Sequence, residues 1–375
     1  MKLAFVIFSI SNQSGGTTTA LLNLYQSLQD KIEIDIFAGN KSGEIPNSTL
    51  ACKKNVYIFE SKTSWSYCKG LKEALESKIK DYDLIHIHGI WSYSSFIAAK
   101  LAIKYKIPYI ISTHGMIESF AFQTKKWKKL PYWYFIQKKL IKSASSIHCI
   151  SNLEVQNAKK YFPSSDIQRI PNGIILQNEN QYGGNSKKKV IGFIGRFHPI
   201  KGLDLLINAF EQIKDSSIEL HLAGSGDDAY VLYISNLANS SNKKDKIKFL
   251  GFLNAQEKKL FYSNISILCV PSHSEVMSMV ALEALSFGVP CLITKQSSFD
   301  EIGIHNAGIV IENNSFENLK VGIDLMFQSD LNEMSKNAYD LVLNRYSLDV
   351  MSKEFLEYYK TNIKVKPDLN IYSDI

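Results

Sequence analysis

Short runs of β-branched and apolar residues recur along this chain, each followed by an amphipathic helical pattern, and the alternation breaks once and then restarts. Candidate strands lie at 3–8, 32–38, 55–60, 84–89, 109–115, 146–151 and 167–173. Helical patterns such as "TTTALLNLYQSLQD" and "SSFIAAKLAIKYK" fill the gaps. A polar stretch, "QNENQYGGNSKKK", intervenes, and new strands follow at 190–195, 218–226, 247–252, 265–272, 291–294 and 307–312. Continuous apolar strands alternating with helices predict parallel sheets covered on both faces. The chain therefore reads as α/β, with two doubly wound Rossmann-like domains facing across a cleft and a linker at about 175–189. Its 375 residues suffice for two cores of ordinary size. Ligands of such sheets bind beyond the carboxyl ends of the strands, so chemistry is expected in the loops that follow strands.

Composition narrows the classes. Cysteines stand at 52, 68, 149, 269 and 291, odd in number and without CxxC spacing. That argues against a disulfide framework or structural zinc and fits a reducing compartment. No apolar run reaches the ~18 residues that cross a bilayer. "MKLAFVIFSI" reads as a first buried strand rather than a signal peptide, because no small-residue cleavage site follows. The expectation is a cytoplasmic protein. Charge is uneven: residues 1–180 hold 23 Lys+Arg against 13 Asp+Glu, net +10, and residues 181–375 hold 20 against 23, net −3. A basic first half points to an anionic partner or to a merely soluble surface. No nucleic-acid module is recognisable in it, so no nucleic-acid partner is expected.

Several post-strand loops carry candidate chemistry. Ser14, Gly15 and Gly16 form a small-residue turn into a helix N-terminus, where free N–H groups favour an anion. The turn is neither GxGxxG nor a P-loop, which weakens a dehydrogenase or kinase reading. "VIGFIGRFHPIKG" places Arg196 and Lys201 between Gly195 and Gly202, and two cations there can clamp a diphosphate. "LHLAGSGDD" sets Gly224 and Gly226 at a strand end, as a close-approach loop or a plain turn. In "SEVMSMVALEALSFGVPCLIT", Glu275 lies in a loop and Glu283 inside a helix expected from Met279 to Phe287 that otherwise looks like core. A buried carboxylate needs a partner, and the neighbouring sequence supplies none. Either adjacent ligand hydroxyls or a distant Lys or backbone amide could serve.

In order and spacing, "GRFHPIKG", "AGSG", "FLGF" and Glu275-x7-Glu283 with "EALSFGVP" resemble the donor half of the retaining glycosyltransferases of family 4, which have GT-B architecture. "STHG" at 112–115, "IPNG" at 170–173 and the terminal "RYSLDVMSKEFLEYYKTNI" agree with that resemblance. It implies an acceptor-binding domain over 1–178, completed by a returning helix at about 347–375, and a donor-binding domain over 188–346. It implies that Arg196 and Lys201 hold the diphosphate of a nucleotide sugar, that Glu283 takes the ribose hydroxyls, and that Glu275 and His114 meet the transferred sugar. Gly16, Gly224, Met277, Ser278 and Met279 would complete the donor site. No metal and no cofactor are expected, since side-chain cations and a helix N-terminus can stabilise the leaving diphosphate. The acceptor would be a glycan, in particular a polyprenyl-diphosphate-linked oligosaccharide of surface polysaccharide assembly. Many relatives have Glu-Gly-Phe-Gly where this chain has Glu275-Val276-Met277-Ser278, which keeps open a non-catalytic nucleotide-sugar binder or partner subunit.

Two further features need a reading. "DYD" at 81–83 mimics a metal motif but precedes a strand, so it reads as a helix-to-strand connection. His86 is read as structural, and His88 as possible cleft lining. The segment 124–143, "TKKWKKLPYWYFIQKKLIKS", holds seven lysines, no acid and five aromatics. It reads as a peripheral contact with an anionic membrane, or as a solvated lysine face over a buried aromatic stripe.

Overall fold

The computed structural model describes residues 1–11, 15–62, 65–118, 126–177 and 189–365. The chain divides into two compact units, Met1–Gly173 with Leu348–Ile375, and Ile174–Ser347. The division falls ahead of the polar linker because Gly173 and Ile174 bond in opposite directions. Asn23 Nδ2 donates to the Gly173 carbonyl, while Ile174 N donates to Tyr346 and Ile174 bridges Ser347. Ser14, Thr124, Lys125, the linker over 178–188 and the tail beyond 365 lie outside the described residues.

The first unit holds seven strands: β1 (Lys2–Ile7), β2 (Glu33–Lys41), β3 (Val56–Ser61), β4 (Leu84–His88), β5 (Tyr109–Ser112), β6 (Ser146–Cys149) and β7 (Ile167–Arg169). They pair in parallel in the order β3-β2-β1-β4-β5-β6-β7. The central strands β1 and β4 are almost fully buried, as strands covered on both faces must be. One face packs on the helix Tyr93–Tyr105, the other on the helices Gly16–Leu28 and Leu348–Asn362. Thus the last long helix of the chain completes the first unit, through Met351, Phe355, Tyr358 and Tyr359.

The second unit repeats the plan with β8 (Val190–Ile194), β9 (Glu219–Ala223), β10 (Ile247–Gly251), β11 (Ile267–Val270), β12 (Cys291–Thr294) and β13 (Gly308–Ile311). The order is β10-β9-β8-β11-β12-β13, again all parallel. In both sheets the strand order reverses beside the first strand, at β1/β4 and at β8/β11. Those are the switch points where ligands of open α/β sheets bind.

The "DYD" segment is a helix-to-strand connection: Tyr82 donates to Asp35 at 2.6 Å, and Asp83 accepts from Lys2 N at 2.8 Å. Among the described residues no helix is long and apolar enough to cross a membrane.

Candidate active site

In the second unit, the loops after β8, β9 and β11 are bolted together by backbone. Gly195 N donates to Ala223, Phe197 N to Ser225 at 2.7 Å, and Gly224 N to Gly251 at 2.7 Å. Gly224 has φ +139°, and a Cβ there would lie 1.8 Å from the Gly195 carbonyl oxygen. Its close approach is therefore to the neighbouring loop, which it lets seat against β8. Gly202, at φ +66°, does the same for the next loop: a Cβ would lie 2.1 Å from Pro271 O. His273 N then bonds Ile200 O, so the 3-10 turn Pro199–Lys201 is fixed against the segment that leads to Glu275.

This bolting sets the side chains. Lys201 Nζ meets Glu275 Oε1 at 2.9 Å, with the two side chains 25% and 10% exposed. Ser272 Oγ donates to the same carboxylate oxygen at 2.5 Å. The Glu275 backbone is held from the other side, its N–H by Gln296 O and its carbonyl by Ser298 Oγ. Arg196 is exposed, beside buried Phe197, and makes no hydrogen bond or ion pair among the described residues. The Lys201–Glu275 pair thus stands at the β8/β11 switch point, with Arg196 exposed in the loop that follows β8.

The helix after Glu275 runs from Met279 to Ser286. Ser278 caps it at φ −75°, accepting from Ala281 N, and is fully buried. Val276 and Ser278 both have negative φ, so the backbone does not demand glycine at either position. Met277 is buried and Met279 half-buried at the first turn. Glu283 corrects the expected burial and takes the distant-lysine alternative. It is only half-buried and has protein partners: Lys258 Nζ at 2.5 Å and the Tyr262 hydroxyl at 2.8 Å, both from the helix Ala255–Asn264. That helix packs beside it, with Tyr262 stacked on Phe287 at 5.1 Å.

In the first unit, the helix after β1 opens at Gly16 behind Gly15, which stands at φ +69° and offers no side-chain cap. β5 ends in the turn Thr113-His114-Gly115, where His114 takes the left-handed conformation at φ +46°. That costs a non-glycine residue, so something must hold the turn. Glu154 does. Its Oε1 accepts from Thr113 Oγ1 and from Gly115 N, each at 2.5 Å, and its Oε2 accepts from Ile150 N at 2.7 Å. Glu154 is fully buried, and burial pushes its carboxyl above the ordinary range. Sequence reasoning missed it, though "SNLE" at 151–154 is a capping-box signal. Ser151 does cap the helix, but the carboxylate reaches back to the β5 turn.

Behind His114 lies a polar chain whose direction one carbonyl fixes. His148 Nε2 is 2.8 Å from Ile170 O, which can only accept, so His148 carries its proton there. Its bare Nδ1 takes the Ser112 hydroxyl proton at 2.6 Å. Ser112 Oγ in turn accepts from His86 Nε2 at 2.6 Å, and His86 Nδ1 accepts from the Tyr359 hydroxyl at 2.8 Å. His86 is structural, as expected. Burial pushes His86 well below the usual histidine range and His148 down to about 4, so both are neutral at pH 7. His88 corrects another expectation: it is buried, not lining a surface, and its Nδ1 lies 3.1 Å from His114 Nε2.

Comparison with known proteins fits this frame. Residues 14–178 match the family described as Glycosyltransferase Family 4, and residues 175–341 match Glycosyl transferases group 1. The glycosyltransferase MJ1178 of Methanocaldococcus jannaschii, itself uncharacterised, is 30% identical over 317 residues, covering 82% of this chain and 83% of its own. The O-antigen biosynthesis glycosyltransferase WclY of Escherichia coli is 26% identical, over 80% of this chain and 82% of its own. The crystal structure of Anabaena Alr3699/HepE in complex with UDP superposes with TM-score 0.78 at 18% identity, over 96% of this chain and 100% of that one. The fold is thus the two-domain α/β architecture named GT-B. The chain belongs to glycosyltransferase family 4.

Proposed function

We propose that this chain is a retaining, metal-independent glycosyltransferase that moves a hexose from a nucleoside-diphosphate sugar to a hydroxyl of a lipid-linked oligosaccharide in surface polysaccharide assembly. The observation that carries the donor half is the Lys201–Glu275 pair at the β8/β11 switch point, with Arg196 exposed in the same post-β8 loop as Lys201. As the glycosidic bond to the diphosphate lengthens, negative charge grows on the leaving phosphate, and fixed guanidinium and ammonium groups stabilise it. The reacting carbon becomes oxocarbenium-like. Glu275, oriented by Ser272 and Ser298, is given the hydroxyls of that sugar, and Glu283 those of the ribose. Gly16 is assigned to the donor phosphate or the acceptor. Met277, Ser278 and Met279 are assigned to the donor through their backbone, and His114 to the transferred sugar. WclY, an O-antigen enzyme, and HepE, solved with UDP, support the reaction class.

The acceptor half rests on the basic-aromatic segment. The helix Lys126–Tyr132 continues through one π-helical stretch, Trp133–Gln137, into Lys138–Lys142. Trp133 is buried, but Trp127, Tyr134 and Phe135 are 76%, 62% and 72% exposed. Lys126, Lys128 and Lys142 are exposed as well, so aromatic rings and lysines stand out on the same segment. A buried aromatic stripe alone does not describe this. Rings at headgroup depth beside lysines fit an anionic membrane surface.

The test is a panel of UDP-, GDP- and ADP-sugars with lipid-linked acceptor. Release of nucleoside diphosphate that disappears in Arg196→Ala and Lys201→Ala, and that persists in EDTA, is expected. Donor binding without turnover in the presence of acceptor would instead mark a non-catalytic binder. Flotation with anionic but not neutral vesicles, lost in Trp127→Ala/Phe135→Ala, is expected for the membrane contact.

A further inference from the structure

His114 faces a neighbour that the assigned roles leave unused. His88 Nδ1 stands 3.1 Å from His114 Nε2, and the two rings lie within 23° of parallel. Burial and nearby histidines push both well down, His114 to about 3, so two neutral rings share this contact. A contact between two neutral imidazoles holds one proton, on one nitrogen or the other.

The second nitrogen of His88 decides which. His88 is 1% exposed, and its Nε2 is buried without a hydrogen-bond partner among the described residues. Placing the proton on Nε2 would bury an N–H with no acceptor, the rarer and costlier arrangement in folded proteins. Placing it on Nδ1 leaves a bare lone pair at Nε2 and makes a bond to His114. The ring cannot turn to trade the nitrogens freely. Phe5 stands edge-on at 5.3 Å, and the His86 ring lies 4.0 Å away. His86 is itself locked by the chain that ends at Ile170 O.

We propose that His88 is a positioning residue whose Nδ1–H donates to His114 Nε2 and thereby holds His114 in the tautomer protonated at Nδ1. His114 then meets its ligand as a hydrogen-bond donor through Nδ1–H, suited to a lone pair of a sugar oxygen. Glu154 holds the backbone of the same residue through Thr113 and Gly115. The two buried groups divide the work: the carboxylate fixes where the ring is, and the imidazole fixes which face of its chemistry it shows. This rests on the reading of His114 as the group that meets the transferred sugar.

The experiment is ¹⁵N–¹H long-range correlation on the full chain labelled at histidine, at pH 7, with the His114 signals assigned by His114→Gln. The expected spectrum shows His114 protonated at Nδ1 and bare at Nε2; the opposite pattern overturns the proposal, whatever any variant does. His88→Asn keeps an N–H near the Nδ1 position and should keep that tautomer. His88→Phe keeps a flat ring without the donor, and should release His114 to a mixture and lower kcat about tenfold, the scale of one hydrogen bond, with KM for the donor sugar little changed. An unchanged tautomer and kcat in His88→Phe overturn it. If His114→Ala keeps full transfer activity, the assignment of His114 to the sugar falls, while the tautomer measurement still judges the role of His88.

Discussion

Lys201 Nζ lies 2.9 Å from Glu275 Oε1, so the cation assigned to the leaving diphosphate is paired with the carboxylate assigned to the sugar. The pair links two roles that the motifs present separately. A Glu275→Gln substitution removes the charge that competes for Lys201. Nucleoside diphosphate alone is expected to bind as tightly or tighter by calorimetry, while kcat for transfer falls by about 100-fold. Parallel loss of diphosphate affinity and kcat would show that Glu275 serves only to place Lys201.

Glu283 presents the converse case. Lys258 and Tyr262 satisfy it within the protein, and a ribose would share it with them. Contacts to the ribose are made equally in ground and transition states, so Glu283→Gln should raise KM for the donor about tenfold with kcat nearly constant. Tyr262→Phe removes one buried hydroxyl and its bond, and should lower the stability of the protein by about 1 kcal/mol without touching KM. Initial-rate kinetics and urea unfolding separate the two.

Glu154→Ala leaves the Thr113 hydroxyl and the Gly115 and Ile150 N–H groups without their acceptor. The expected loss is about 3 kcal/mol in urea unfolding, with activity lost in the fraction that stays folded because His114 leaves its left-handed turn. Thr113→Val should cost less alone and add little to Glu154→Ala, since both cut one network.

Four histidines buried neutral make the first unit sensitive to acid. His86, His88, His114 and His148 all have folded values depressed below the ordinary 6.5, chiefly by burial. The unfolded chain binds protons as pH falls through 6.5 and the folded chain does not, so the stability these rings confer is whole above 6.5 and is lost as pH drops toward their folded values. Each contributes up to about 1.4 kcal/mol per pH unit in that window. Glu154, raised by burial, works in the opposite direction over the range where it titrates. Urea midpoints at pH 7.5, 6.5 and 5.5 should fall steadily, and His148→Gln should flatten the slope.

The sheets were legible because a buried parallel strand writes itself as a continuous apolar run: "CLIT" is β12 residue for residue. Arg196, Lys201 and Glu275 were legible as polar residues in loops after such runs. What supports them was not. Glu154 meets Gly115 across 39 residues, and Glu283 meets Lys258 from another helix. Such contacts arise from how strands order in a sheet, and no local period announces them. At 276 and 278, where the resemblance led to an expectation of glycines, the observed torsions suit the Val and Ser present.

The helix Leu348–Asn362 packs on the first helix of the chain, with Tyr359 bonding His86 and Tyr358 bonding Ser146. A ribosome finishes Gly173 long before it reaches Tyr359, and makes all of the second unit in the interval. At about 5–20 residues per second, that interval is on the order of ten to forty seconds. Through it, the nascent first unit carries an uncovered sheet face around Phe5 and His86. The half made first is therefore the half that matures last, and its exposure to chaperones and proteases is set by the speed of translation.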